Sequence, residues 1–188
     1  MDKYSESQAL FQRLFKDHFV RLPGPWQNFH TAISNHQFEG EAEVLRGGNL
    51  VTSILAFLLR LPPASEVPVK LVIQKKGEGE IWARHFGDHF FQTFLFLEGE
   101  TQNSDGQFLL RERFGPFCFG IALTAHTETV EWGIDRWWFF GVPLPKFLAP
   151  LSQTKEFIDD KGRYAFDIDL SVPLFGRLIA YRGWLETR

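Results

Sequence analysis

Cysteine is nearly missing from this chain. Cys118 is the only one, so no internal disulfide can form and no cysteine cluster can hold a metal, and a reducing, cytoplasmic compartment is expected. Long apolar runs are also missing. The most continuous one, Leu50 to Leu61, is about a dozen residues against the roughly 20 that a membrane-crossing helix requires, so no transmembrane segment is expected. The start, Met1-Asp2-Lys3-Tyr4-Ser5-Glu6, is polar and carries neither the basic nor the apolar part of a secretory signal. Basic runs are absent and the formal net charge is −3, which removes the positive footprint needed to bind a phosphate backbone; no nucleic-acid partner is expected. There is no glycine-rich phosphate loop, no G-x-S-x-G elbow and no Cys/His pair of recognisable spacing. Nucleophilic hydrolysis has no support, so no catalytic residue and no cofactor is assigned.

Aromatic side chains are what the chain has in excess. Its 188 residues include 21 Phe and 6 Trp, well above ordinary usage, and such side chains favour strands and fill wide interiors. The length suits one core, so residues 1–188 are read as a single domain.

The apolar positions of residues 5–22 (Leu10, Phe11, Leu14, Phe15, Phe19, Leu22) follow helical spacing, with Ser5 and Gln8 as a candidate capping box and Pro23-Gly24-Pro25 as the stop. From 36 to 46 the period changes to two, the mark of a half-buried strand. Asn49 then stands as N-cap to an apolar helix over 50–61 that Pro62-Pro63 closes. That helix is apolar nearly all round; core packing is the expectation, and plugging a barrel mouth or touching a membrane surface are the alternatives. From 67 onward nine runs of strand character follow: 69–75, 80–86, 89–98, 107–114, 117–126, 129–140, 153–159, 163–171 and 177–185. Even spacing without a βαβ rhythm predicts a mainly β, α+β chain: a curved antiparallel sheet or lipocalin-like barrel with two or three helices.

Turn positions set candidate registers. A two-residue turn at Gly115-Pro116 pairs positions that sum to 231, which places Glu112 opposite Phe119. A turn at Thr127-Glu128 pairs positions that sum to 255, which places Phe119 opposite Arg136 and Leu123 opposite Trp132. Glu112 and Arg136 then share one row of a strongly apolar face, close enough to meet. The other face of that middle strand is small (Cys118, Gly120, Ala122, Thr124), suited to solvent, a close helix or a cavity wall. A turn at Gly87-Asp88 sends His85 and His89 to opposite faces, so no metal site is assigned to them.

The candidate site residues are charges on apolar strand faces. They are Glu112, Arg136, Arg182 on the face of Leu178, Ala180 and Trp184, and Arg84 between Trp82 and Phe86, with Trp132 as aromatic cover. A buried charge without a partner costs several kcal/mol, so internal ion pairs are one explanation. The functional one makes them polar anchors of an apolar pocket that orient a carboxylate, phosphate or carbonyl.

The ordered motifs Arg46-Gly47, Leu61-Pro62-Pro63, Trp82 to Gly87, Arg111 to Pro116, Pro143 to Pro150, Phe166-Asp167-Ile168, Pro173 to Gly176 and Tyr181 to Leu185 resemble the bacterial domain-of-unknown-function family numbered 4166. The resemblance implies a domain found alone or joined to a nucleotide-cofactor reductase-like domain, with no established activity and no catalytic residues to carry over. No G-x-G-x-x-G follows a strand here, so a reductase-like protein would have to be a separate partner.

Three functions fit this reading. The first is binding of an apolar or amphipathic small molecule in a barrel-like cavity, with Leu144 to Leu151 as a lid. The second is an enzyme that uses Glu112 as acid or base beside Arg136. The third is a protein-interaction or peripheral membrane module that presents Leu50 to Leu61 or Trp132 to Phe140.

Overall fold

Period-two alternation governs the computed structural model, which describes residues 8–31, 36–99 and 101–188. The strands are β1 (His36–Arg46), β2 (Ser65–Lys76), β3 (Gly79–Phe86), β4 (His89–Phe96), β5 (Phe108–Phe114), β6 (Phe117–Ala125), β7 (Thr129–Phe139), β8 (Val142–Pro143), β9 (Leu151–Ile158), β10 (Tyr164–Val172) and β11 (Gly176–Thr187). Strands β1 to β7 pair in chain order, β7 passes to β9, and β9, β10 and β11 return to β1. Ten antiparallel strands thus close into a barrel, with the two-residue β8 attached to the end of β7. Every segment read as a strand from the sequence is one of its staves.

Two glycines let the wall bend. A Cβ on Gly40 of β1 would stand 1.8 Å from the Trp184 carbonyl oxygen, and one on Gly183 of β11 would stand 2.1 Å from the Glu41 oxygen and 2.9 Å from the Phe166 ring. Only a residue without a side chain permits that approach. The small outer face of β6 is covered by an indole rather than a helix: the Trp138 ring lies over Gly120, and the Arg111 guanidinium stacks on it at 3.9 Å.

A barrel of ten strands encloses more space than its own side chains fill, because diameter grows with strand number. The N-terminal segment fills one end. The single helix expected over 5–22 is instead α1 (Leu10–Phe15) followed by a 3-10 turn (Lys16–Arg21), with Lys16 at a φ of 49° ending α1. Residues 5–7, and with them the Ser5 cap, lie outside the described residues. Pro23-Gly24-Pro25 does not merely stop a helix. It starts α2 (Gly24–His30), since proline also suits a first helical turn.

Phe11, Phe15, Trp26 and Phe29 are almost fully buried, and the Phe29 ring stacks on Tyr164 with centroids 3.6 Å apart. Two buried carboxylates latch this plug. Glu80 accepts the Leu10 backbone N–H at 2.9 Å and the Trp82 indole N–H at 3.1 Å. Glu156 accepts the Trp26 indole N–H at 2.8 Å and faces the His30 Nε2 at 3.0 Å.

The opposite end holds α3 (Leu50–Leu58), capped as expected by Asn49, whose side-chain oxygen accepts the Thr52 N–H at 2.9 Å. Its buried face is small, Thr52 and Ala56, while Leu50, Ile54, Phe57 and Leu58 are exposed. Core packing therefore holds for one face only, where Ala56 joins the core and Leu55 and Leu59 pack against it. Arg46 ties the segment down by donating to the carbonyls of Leu61 and Pro62 at 2.9 and 2.7 Å.

Glu156→Leu leaves Trp26 and His30 facing no acceptor, and with each orphaned buried donor costing about 1–3 kcal/mol, a loss of about 2–6 kcal/mol is expected in urea unfolding. Glu156→Gln keeps an acceptor oxygen and should lose less than half as much. A leucine variant as stable as the parent would show that this carboxylate does not hold the plug.

Candidate functional site

Between the plug and α3 lies a cavity of about 190 Å³. Its floor is Phe29, Tyr164 and Glu156, and its lining runs up to Leu59, Leu61 and Pro150 at the α3 end. The wall is built from inward positions of the strands, among them Trp82, Phe86, Phe91, Phe119, Trp132 and Phe166. Few polar groups break that surface.

Arg84 on β3 is the principal one. It donates from Nη1 to the Thr93 hydroxyl on β4 at 2.8 Å, and its Nη2 stands 3.9 Å from the Glu112 carboxylate on β5. The guanidinium carbon lies 5.0 Å from the Trp82 ring centroid and 5.5 Å from that of Phe91. A separation of 3.9 Å is attraction without a hydrogen bond. The Nε and Nη2 donors of Arg84 therefore have no hydrogen-bond partner among the described residues, and neither does the Glu112 carboxylate. Tyr181 on β11 faces the same cavity. Burial pushes its phenol up, and the Arg84 cation pulls the other way. The Trp132 indole N–H is buried and has no partner among the described residues.

Arg84, Glu112 and Trp132 are thus brought together as the sequence suggested; Arg136 and Arg182 are not. The register that sums to 255 holds from Ala125↔Val130 to Ile121↔Ile134 and then slips at a bulge to Gly120↔Arg136 and Phe119↔Trp137. One extra residue turns every later side chain to the other face. Arg136 is therefore outside, 68% exposed, beside Asp135 at 3.2 Å. Arg182 fails on parity: Ile179, Tyr181 and Leu185 point inward on β11, so Arg182 points outward, where it lies 3.8 Å from Glu43. The Glu112–Arg136 row does not exist, and Arg84 occupies the place given to Arg136. His85 and His89 are on opposite faces of their hairpin, as expected, and His89 meets the Arg60 carbonyl.

The sequence reading missed Tyr181, Thr93, Glu80 and Glu156. Thr93 alternates with Phe91 and Leu95 and was legible as a polar position on an apolar face. Glu156 was not, because β9 turns Ser152, Thr154 and Glu156 inward and Leu151 outward, against the usual apolar signal.

A family model described as a domain of unknown function, DUF4166, matches residues 22–185. The chain belongs to the DUF4166 family. A search of curated proteins finds no match. In this DUF4166 chain the matched span takes in α2, β1 to β10 and β11 as far as Leu185, and so every residue that lines the cavity.

Burial holds the Glu80 carboxyl above the usual glutamate range, against smaller opposing pulls from its hydrogen bonds with Trp82 and Leu10. The folded chain therefore binds this proton more tightly than the unfolded chain. The resulting stability is complete below the ordinary glutamate pKa and is lost as pH rises through the folded one. Glu80→Gln removes the titration, so the parent should gain stability relative to this variant as pH falls from neutral toward about 4. Urea midpoints across a pH series read the difference, and parallel courses for the two proteins would refute it.

Proposed function

We propose that the barrel binds a small amphipathic molecule whose head carries a carboxylate or phosphate. The head meets Arg84, a hydroxyl or carbonyl beside it meets Glu112, Tyr181 or the Trp132 N–H, and the apolar body lies against Trp82, Phe91 and Phe119. The observation that carries this reading is a cation in an aromatic chamber whose protein partners are incomplete: one neutral hydroxyl at 2.8 Å and a carboxylate only at 3.9 Å. Such a group gains more from an acidic ligand than an arginine already locked in a bidentate pair would. The buried, unpartnered Trp132 donor supports the same reading, because an unmet buried N–H costs about 1–3 kcal/mol that a ligand oxygen would recover. The volume limits the occupant. At about 190 Å³ the cavity is below the range of roughly 300–1,000 Å³ common for drug-sized ligands, so it admits a short amphiphile or one end of a longer one.

Native mass spectrometry of freshly purified protein, followed by organic extraction, is the first test, and a stoichiometric adduct is expected. The second compares a short fluorescent fatty acid with the alcohol of the same chain. Arg84→Met should weaken the acid by at least ~10-fold, about 1.4 kcal/mol, and leave the alcohol nearly unchanged. Glu112→Gln, which removes the competing carboxylate, should strengthen the acid. Equal loss of acid and alcohol, or no binding of either to the parent, would sink the reading.

A further inference from the structure

The antiparallel order sends the loops of the barrel alternately to two ends. The plug occupies one end. The other receives the β1–β2 segment with α3 and the β3–β4 turn, then the β5–β6 turn, the β7–β9 connection and the β10–β11 turn. Apolar exposure is divided unequally between these ends. Among the described residues, every large exposed apolar side chain except Val20 belongs to a segment at the α3 end. Phe57 is 81% exposed on α3, Phe140 is 76% exposed at the β7–β8 turn, Phe147 is 76% exposed on the short 3-10 turn Lys146–Leu148, and Leu174 is 98% exposed between β10 and β11. These are tips on separate segments around the cavity's upper lining, not one flat sheet face.

Charge is divided less completely, since Glu66 at the start of β2 and Asp88 in the β3–β4 turn lie at the same end. The chain as a whole is acidic, with a formal net charge of −3, yet residues 50–60, 139–151 and 172–177 contain no Asp or Glu. Each contains one cation: Arg60, Lys146 and Arg177 respectively. Lys146 is paired with Asp135 and Arg177 with Asp169, both on flanking strands, while the Arg60 guanidinium has no acidic partner among the described residues.

We infer that this rim docks on the surface of an anionic lipid bilayer, so that an amphiphile can pass between the bilayer and the cavity without crossing water. Large apolar tips enter the headgroup boundary, where apolar faces bury by about 5–10 Å. Arg60, Lys146 and Arg177 lie at the level of the acidic headgroups, whose attraction acts over about one Debye length. The cavity is small enough that a longer chain held at Arg84 would emerge among these same side chains. A protein partner would more commonly meet a continuous patch with a polar, hydrogen-bonding border. Here separate protruding tips ring the end at which Leu59, Leu61 and Pro150 line the cavity, and the three segments that carry most of them have no acidic residues.

The inference concerns the site proposed above, but its test is separable from that of the site. Flotation with vesicles of phosphatidylcholine, with and without phosphatidylserine, measures docking directly. The parent should float with the phosphatidylserine vesicles, more weakly as salt rises, and little with phosphatidylcholine alone. Phe140→Ser combined with Phe147→Ser and Leu174→Ser should reduce the bound fraction by at least ~10-fold on the acidic vesicles. Arg60→Gln combined with Lys146→Gln and Arg177→Gln should reduce it by a similar factor and remove the salt dependence. Arg84→Met should leave flotation unchanged, and the rim variants should keep their affinity for the soluble fatty-acid probe, so that cavity and rim fail independently. The substituted tips are exposed, and unaltered urea midpoints would verify that the variants fold. Absence of flotation by the parent overturns the inference. So does a parent dimer in light scattering that the three serine substitutions dissociate, which would make the rim an interface between copies.

Discussion

The Glu156 carboxylate holds the architecture together, because one buried acceptor joins the N-terminal plug to the barrel floor. Trp26 and His30 reach it from α2, while Glu80 performs the same task for α1 through the Leu10 backbone. Burying carboxylates is costly unless their lone pairs are met. Both are met here by groups of the plug or by Trp82 beside it, so seating the plug and satisfying the floor are one event. Without the plug, two acids would open into a wide apolar interior. With it, the barrel has a closed end, and the cavity that remains reaches only toward α3.

Closure of the sheet depends on the β6–β7 pairing, and that pairing also decides which charges face inward. The hairpin sums predicted from Gly115-Pro116 and Gly87-Asp88 hold along their whole strands. The sum from Thr127-Glu128 holds until the bulge near Gly120. Nothing in the local pattern marks that extra residue, because Ile134, Asp135, Arg136 and Trp137 alternate acceptably in either register. Its effect is large all the same, since it takes Arg136 out of the interior and leaves Glu112 facing Arg84 alone. The strands were legible because turn residues and aromatic alternation agree at nearly every hairpin. The plug was less so: proline at α2 was read as a stop, and the carboxylate that receives α2 lies on a strand whose inward face is polar.

Arg182 teaches the same lesson from a different cause. Leu178 lines the cavity beside Ile179 because the β10–β11 register slips between Leu170↔Ile179 and Ser171↔Arg177, and Ala180 is buried although it does not share the inward parity of Ile179 and Tyr181. Near α3 both faces of β11 are covered, so apolar residues cease to mark the interior there. Counting from Leu178 therefore assigned Arg182 to the wrong side, whereas counting from Ile179 selects Tyr181. Several motifs behind the family resemblance also acquire structural roles. Arg46 binds the carbonyls of Leu61 and Pro62, and Gly47 passes so near the Arg177 carbonyl that a Cβ would stand 1.8 Å from it. Together they fix where α3 leaves the wall.

That fixed geometry explains how α3 can be so apolar and still bury only one narrow face. Its contact face needs small residues, Thr52 and Ala56, because Arg46 and Gly47 hold the segment close to β11. Leu55 packs partly against the core, while Leu50, Ile54, Phe57 and Leu58 point away. In a protein that met only water, this arrangement would expose apolar area with no compensating contact. The helix cannot turn its large face inward without releasing the Asn49 cap and the Arg46 clamp, so these side chains stay on the surface of the described fold. That exposed face lies at the end of the barrel where Leu59, Leu61 and Pro150 line the cavity.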